Sequence, residues 1–141
     1  RFSVSILTKS PLVLRDVDLF KKFSDIEVGI TITTDDDGMR MRFEPGAPPI
    51  QARIKALKKL RAAGVCTYAF IGPLLPMNPE HLAKKIAPHV DSVLIDRMNY
   101  VPKTLQVYRS MKLTSWLDED VTGDVMERLI KGLDGIPATL C

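Results

Sequence analysis

The chain has 141 residues, 45% of them hydrophobic and 26% charged, with a net charge of +3. This composition describes one globular domain large enough to bury a real core, and it excludes a low-complexity chain or one with a membrane-spanning segment. The charge is too modest to demand a polyanionic partner, and no Lys/Arg block with interleaved aromatics marks a nucleic-acid groove. Two cysteines, Cys66 and Cys141, are too few for a disulfide framework or a zinc knuckle, which points to a reducing cytoplasm.

No signal peptide is visible. The chain opens at Arg1 without a methionine and passes into residues 2–8, a strand already in progress, so it reads as a fragment of a longer protein. Ser10 followed by Pro11 is a cap and first-turn pair for a helix carrying Leu12, Val13, Val17, Leu19, Phe20 and Phe23, ending near Ser24 and Asp25. Residues 26–33 form the second predicted strand. There Val28, Ile30 and Ile32 alternate with Thr31 and Thr33 until the turn cluster Asp35-Asp36-Asp37-Gly38. Residues 39–44 read as a short helical turn, and Pro45-Gly46-Ala47-Pro48-Pro49 as a loop.

A long helix spans about 50–63. Ile54, Leu57, Leu60 and Ala63 recur at three-residue steps, Lys55, Lys58, Lys59 and Arg61 lie between them, and Gly64 stands where a C-terminal cap belongs. The third strand, 65–71, is nearly all apolar and stops at Gly72-Pro73, which completes a βαβ unit. Asn78-Pro79-Glu80 starts a helix that runs to about residue 87, where Pro88 stops it. Then come a short buried strand at 92–96, a helix near 102–111, a short strand at 113–116, a helix over about 119–132 and an apolar tail at 136–141. This order predicts an α/β chain whose parallel sheet forms the later part of a partial (β/α) TIM-like barrel, since a full barrel takes ~250 residues. Open apolar strand edges would make it prone to self-association.

Parallel strands joined through helices open their carboxyl ends onto one edge, where ligands of such sheets collect. Lys9 lies there between two hydroxyl residues, placed to meet a carboxylate or phosphate, and Thr31 and Thr33 share one face of their strand. Asp35, Asp36 and Asp37 read as a solvated turn rather than a metal site. Glu44, in a proline-stiffened loop, is either held over a ligand or paired with Arg53; the pairing is the favoured reading. Gly72 leaves room for a ligand against the backbone. Asp96, Arg97, Asn99 and Tyr100 form the densest polar group at a strand end, with Arg97 suited to clamp a phosphate or carboxylate. His81 and His89 read as surface residues with no carboxylate partner, Cys66 as packing in a buried strand, and no metal-ligand set is evident in this chain.

Several of these segments together resemble one family. They are Thr8-Lys9-Ser10-Pro11-Leu12-Val13-Leu14-Arg15-Asp16, the strand over 28–34, Phe43-Glu44-Pro45-Gly46-Ala47-Pro48, the helix around Arg53, Ile54 and Ala56, and the strand over 68–73. The stretch over 2–100 is similar to the radical S-adenosylmethionine enzymes of the spore photoproduct lyase type, also described as DNA repair photolyase-like proteins.

The resemblance implies a partial (β/α) barrel with S-adenosylmethionine across its strand ends. Lys9 would contact the methionine carboxylate, Thr31 and its face-mate Thr33 the cofactor, and Gly72 the adenine or ribose. Glu44, Arg53, Asp96, Arg97, Asn99 and Tyr100 would stand on the substrate side. The family's Cys-x3-Cys-x2-Cys motif, which holds a 4Fe-4S cluster, is absent, and the resemblance places it upstream of residue 1. Residues 1–141 would then be the C-terminal portion of the domain, inactive alone. The parent lyase-like enzyme would use an electron donor to generate a 5′-deoxyadenosyl radical for hydrogen abstraction from an unidentified substrate, damaged DNA among the candidates. The alternative is a non-catalytic α/β module that binds a small anion or a partner protein through Lys9 and Arg97.

Overall fold

Alternation along the strands sets the architecture. Val28, Ile30 and Ile32 are fully buried on one face of their strand, and Ala69, Ile71, Val93 and Ile95 continue that face across the neighbouring strands. In the computed structural model, which describes residues 2–97 and 101–141, five strands form one parallel sheet in the order β1 (Val4–Thr8), β2 (Ile26–Thr31), β3 (Cys66–Ile71), β4 (Ser92–Ile95) and β5 (Ala138–Leu140). Spatial order equals chain order, with no reversal. Crossovers of one hand then stack their helices on one side of the sheet.

Six α-helices occur among the described residues: α1 (Val17–Phe20), α2 (Asp37–Phe43), α3 (Ile50–Ala62), α4 (Pro79–Ile86), α5 (Val101–Ser110) and α6 (Glu119–Gly132). Leu57 and Leu60 of α3, Leu82 and Ile86 of α4 and Leu129 of α6 are fully buried in the core over the β2–β4 face. Each such side chain contributes about 2 kcal/mol relative to exposure. None of these helices is long and apolar enough to cross a membrane.

Three predicted elements take another form. The helix expected after Ser10 is a 3-10 segment, Pro11–Asp16, followed by the short α1. Ser10 does cap it, accepting from Leu12 N at 3.2 Å, but Leu12 and Leu19 are exposed and Phe20 is the one buried anchor, too little to hold a longer helix. Residues 113–116 are not a strand but lead into a 3-10 turn, Thr114–Leu117, because the place beside β4 is taken by β5 from the apolar tail. Cys66 is exposed at the start of β3 rather than packed within it.

The face of the sheet away from the core is paved by a flat ring. Tyr68 lies across Gly29 on the neighbouring strand, so close that a Cβ built at Gly29 would stand 2.2 Å from Tyr68 Cζ. The Tyr68 hydroxyl reaches over β2 to β1, 3.2 Å from Ser5 Oγ and 3.4 Å from the Ile6 carbonyl. Gly29→Ala therefore expels the ring from its seat and is expected to cost about 1–3 kcal/mol. Urea unfolding of the single variant and of Gly29→Ala/Tyr68→Ala checks this, since the second change should remove most of the penalty.

Candidate functional site

The carboxyl end of β2 carries Thr31 and Thr33, and the chain then turns into α2. Asp36 starts that helix by accepting from Gly38 N at 2.7 Å. One turn on, the buried Arg40 holds both oxygens of Asp37, at 2.8 and 2.9 Å, and donates to the Ala47 carbonyl at 2.9 Å. Asp37 also accepts from Ile50 N, the first residue of α3, at 3.0 Å. The Arg40 contact, followed by that amide, holds the Asp37 carboxyl below its usual value. Asp36 and Asp37 are exposed, as a solvated turn requires, and besides facing solvent they build the loop that carries Glu44.

Glu44 is the meeting point. Its Oε2 accepts from Arg53 Nη2 at 2.9 Å and from Thr33 Oγ1 at 3.0 Å, and its Oε1 lies 2.6 Å from Lys9 Nζ. Arg53 is fully buried and spends its remaining donors on backbone, Nε to Pro48 O at 2.9 Å and Nη1 to Thr31 O at 3.1 Å. The predicted Glu44–Arg53 pairing is therefore present. Its extension through Lys9 and Thr33 was not legible, because sequence spacing does not reveal which strand ends adjoin. Lys9 remains 43% exposed against 11% for Glu44, so the ammonium opens to solvent at the edge of the network.

Register aligns the other rim residues. Thr8 pairs with Ile30 and Thr31 with Phe70, which puts Lys9 level with Thr31 and Gly72 level with Thr33. The Thr31 and Thr33 side chains are buried. At Gly72, before the cis Gly72–Pro73 bond, a Cβ would meet the Phe70 ring at 2.7 Å and Asp96 Cβ at 2.9 Å, so ring, glycine and carboxylate-bearing carbon adjoin one another. Arg97 is exposed just beyond. Asn99 and Tyr100 lie outside the described residues. Above the rim, Phe43 at the end of α2 packs against Tyr108 of α5, ring centroids 4.9 Å apart. The Tyr108 hydroxyl is buried without a hydrogen-bond partner, and burial pushes its pKa up to about 12.

His81 is a surface residue as predicted, but it does have a carboxylate partner. Asp35 Oδ2 lies 2.6 Å from His81 Nδ1 and Asp35 Oδ1 accepts from Asn78 N at 2.8 Å, while Asn78 Oδ1 accepts from His81 N at 2.9 Å. These bonds dock the start of α4 on the end of β2. Asp35 also borders a cleft of about 320 Å³ with Met39, Met77 and Trp116. The described residues hold no group of three His, Cys, Asp or Glu side chains gathered for a metal.

Burial, the largest influence on Glu44, pushes its carboxyl up, but Lys9 and Arg53 together outweigh it and the net value lies below the ordinary 4.5. Stabilisation from a depressed carboxylate is complete above its unfolded value and is lost as pH falls through its folded value. The wild-type stability advantage over Glu44→Gln should thus be full at neutral pH and shrink below pH 4.5. Arg53→Ala leaves a largely buried carboxylate short of its main partner and should cost about 3 kcal/mol at neutral pH. Urea unfolding across pH measures both.

No family model matches the chain, and no solved structure does. Relatives with uncharacterized names do, among them the following three. Over 101 residues, 70% of this chain, it is 44% identical to the uncharacterized protein MJ0683 of Methanocaldococcus jannaschii, spanning 39% of that protein. It is 28% identical to the uncharacterized protein ORF301 of Acidianus two-tailed virus over 134 residues, 82% of this chain and 44% of that one. To the uncharacterized protein Rv2578c of Mycobacterium tuberculosis it is 32% identical over 85 residues, 56% of this chain and 25% of that one. The chain spans less than half the length of each of these relatives.

Proposed function

We propose that the chain is the later portion of a radical S-adenosylmethionine enzyme of the spore photoproduct lyase type, and that its strand-end rim seats the cofactor. The observation that carries this reading is the alignment of Lys9, Thr31, Thr33 and Gly72 along one rim, with the Lys9 ammonium the most exposed cation of the Glu44 network. The donor set fits the group at Lys9. A half-exposed ammonium suits the methionine carboxylate, whereas the Phe70 ring and Asp96 fill the space expected to be open at Gly72.

The architecture supports a partial barrel. Strand order without reversal is that of a singly wound sheet, and the exposed apolar side chains Phe2, Leu7, Leu12, Leu19 and Phe23 cluster on β1 and the segment after it. That flank is where a preceding part of a barrel would pack. The chain's share of its relatives' lengths agrees with a larger parent.

S-adenosylmethionine, together with a reduced 4Fe-4S cluster, would supply a 5′-deoxyadenosyl radical for hydrogen abstraction. The cluster's ligands would come from outside this chain, with reducing equivalents from an electron donor. This chain's own residues hold and orient. Lys9 takes the carboxylate, while Arg53 holds Glu44 ionised and Thr33 hydrogen-bonds it, so that Lys9 stays in position. The substrate, with damaged DNA a candidate, would approach from the side of Asp96 and Arg97, in the cytoplasm.

Calorimetric titration of the longer parent protein with S-adenosylmethionine tests this. Lys9→Ala should weaken binding by about 10- to 100-fold, the worth of one charge-assisted hydrogen bond, and abolish reductive formation of 5′-deoxyadenosine. Unchanged binding in the variant, or a parent reading frame with no three-cysteine motif upstream, overturns the assignment. Anion binding at Lys9 without cofactor cleavage would favour the non-catalytic module instead.

A further inference from the structure

A further concavity of the described structure lies away from the rim. It is a groove of about 520 Å³ on the outer, helical side of the sheet, between α3 and the end of α4 with the turn after it. Lys55, Lys58 and Lys59 of α3, Lys85 of α4 and His89 line it around Ile54, and no carboxylate does. Outside the groove several cations are ion-paired, Lys9 and Arg53 with Glu44, Arg40 with Asp37, Arg61 with Asp91, and Arg128 with Glu80 and Asp124, while others such as Lys21, Lys22 and Lys131 are not, among the described residues; the groove differs in gathering its unpaired cations in one concavity. The four groove lysines have no ion-pair partner among the described residues.

Placing Lys55 beside Lys58 and Lys59, at three- and four-residue spacing, works against α3, since like charges one turn apart repel. His89 registers the same field. Burial first, then the cations Lys58 and Arg61, hold its imidazole below the usual value of 6.5. A concentration of positive charge in a concave site is relieved by an anion that enters it.

We infer that this groove is an anion-binding cleft for a short phosphate chain, of the inorganic oligophosphate or nucleoside di- and triphosphate class. Its volume falls within the range of small-ligand sites. Ammonium groups on flexible stems meet phosphate as point charges and need no fixed fork geometry. The lining has no Phe, Tyr or Trp ring to form a stacking platform for the bases of a single strand. A concave groove between two helices also suits a compact ligand better than a rigid duplex. The cleft is separate from the strand-end rim, so its standing does not depend on the proposed cofactor site.

The test is calorimetric titration of the chain with inorganic tripolyphosphate, followed by NMR titration of the His89 ring. We expect one equivalent bound, weakened at least tenfold by Lys58→Glu/Lys85→Glu, and weakened further as salt rises toward physiological strength. The His89 titration midpoint should rise in the presence of tripolyphosphate, because an anion offsets Lys58 and Arg61. This measurement uses the unmodified chain and so does not depend on the variant's folding. An adenine nucleoside triphosphate in place of tripolyphosphate distinguishes a nucleotide site from one that reads the phosphate chain alone. Absence of uptake, binding that survives the charge reversal, or an unmoved His89 midpoint overturns the assignment. So does tighter binding of a duplex oligonucleotide or an acidic peptide at the same cleft.

Discussion

The fully buried guanidinium of Arg53 is the constraint on which the rest of the rim depends. A cation removed from water is tolerated only where its donors are met, and here one carboxylate and two backbone carbonyls meet them. Those acceptors belong to three separate pieces of chain: the end of β2 at Thr31, the loop carbonyl of Pro48, and Glu44 at the close of α2. Satisfying one side chain therefore fixes the path between strand and helix. Arg40 repeats the device on the same loop through Ala47, with Asp37 shared between Arg40 and the start of α3.

This bracing divides the molecule into two chemically distinct surfaces. At the strand ends, charge is paired and largely withdrawn from solvent, with Lys9 as the outlet. On the outer helices Arg61 and Arg128 are paired, while the lysines gathered between α3 and α4 are not. The core lies between them, with Val28, Ile30, Leu57, Leu60, Leu82 and Val93 fully buried.

Much of the fold was legible because local chemistry and global packing agree. The α3 periodicity, the cap at Asn78 and the alternation along β2 each name their element, and helix α6 spans Glu119–Gly132 as its pattern predicts. What could not be read was decided by long-range neighbours. Residues 113–116 have strand-like composition, yet the position they would need is held by Ala138–Leu140. His81 and Asp35 are 46 residues apart in sequence, and no spacing rule joins them. The Glu44–Arg53 pair was visible because both ends lie close along the chain, while Lys9 joins it only through the β1–β2 register. Arg40 was overlooked although it stands three residues after Asp37 in a helix, the local signal that would have found it.

Glu44 answers to one companion that cannot leave and another that can. Arg53 is sealed in, whereas Lys9 swings from an exposed strand end. A negatively charged visitor could therefore borrow the ammonium without orphaning the carboxylate it came from. The rim can exchange allegiances while its foundations stay still.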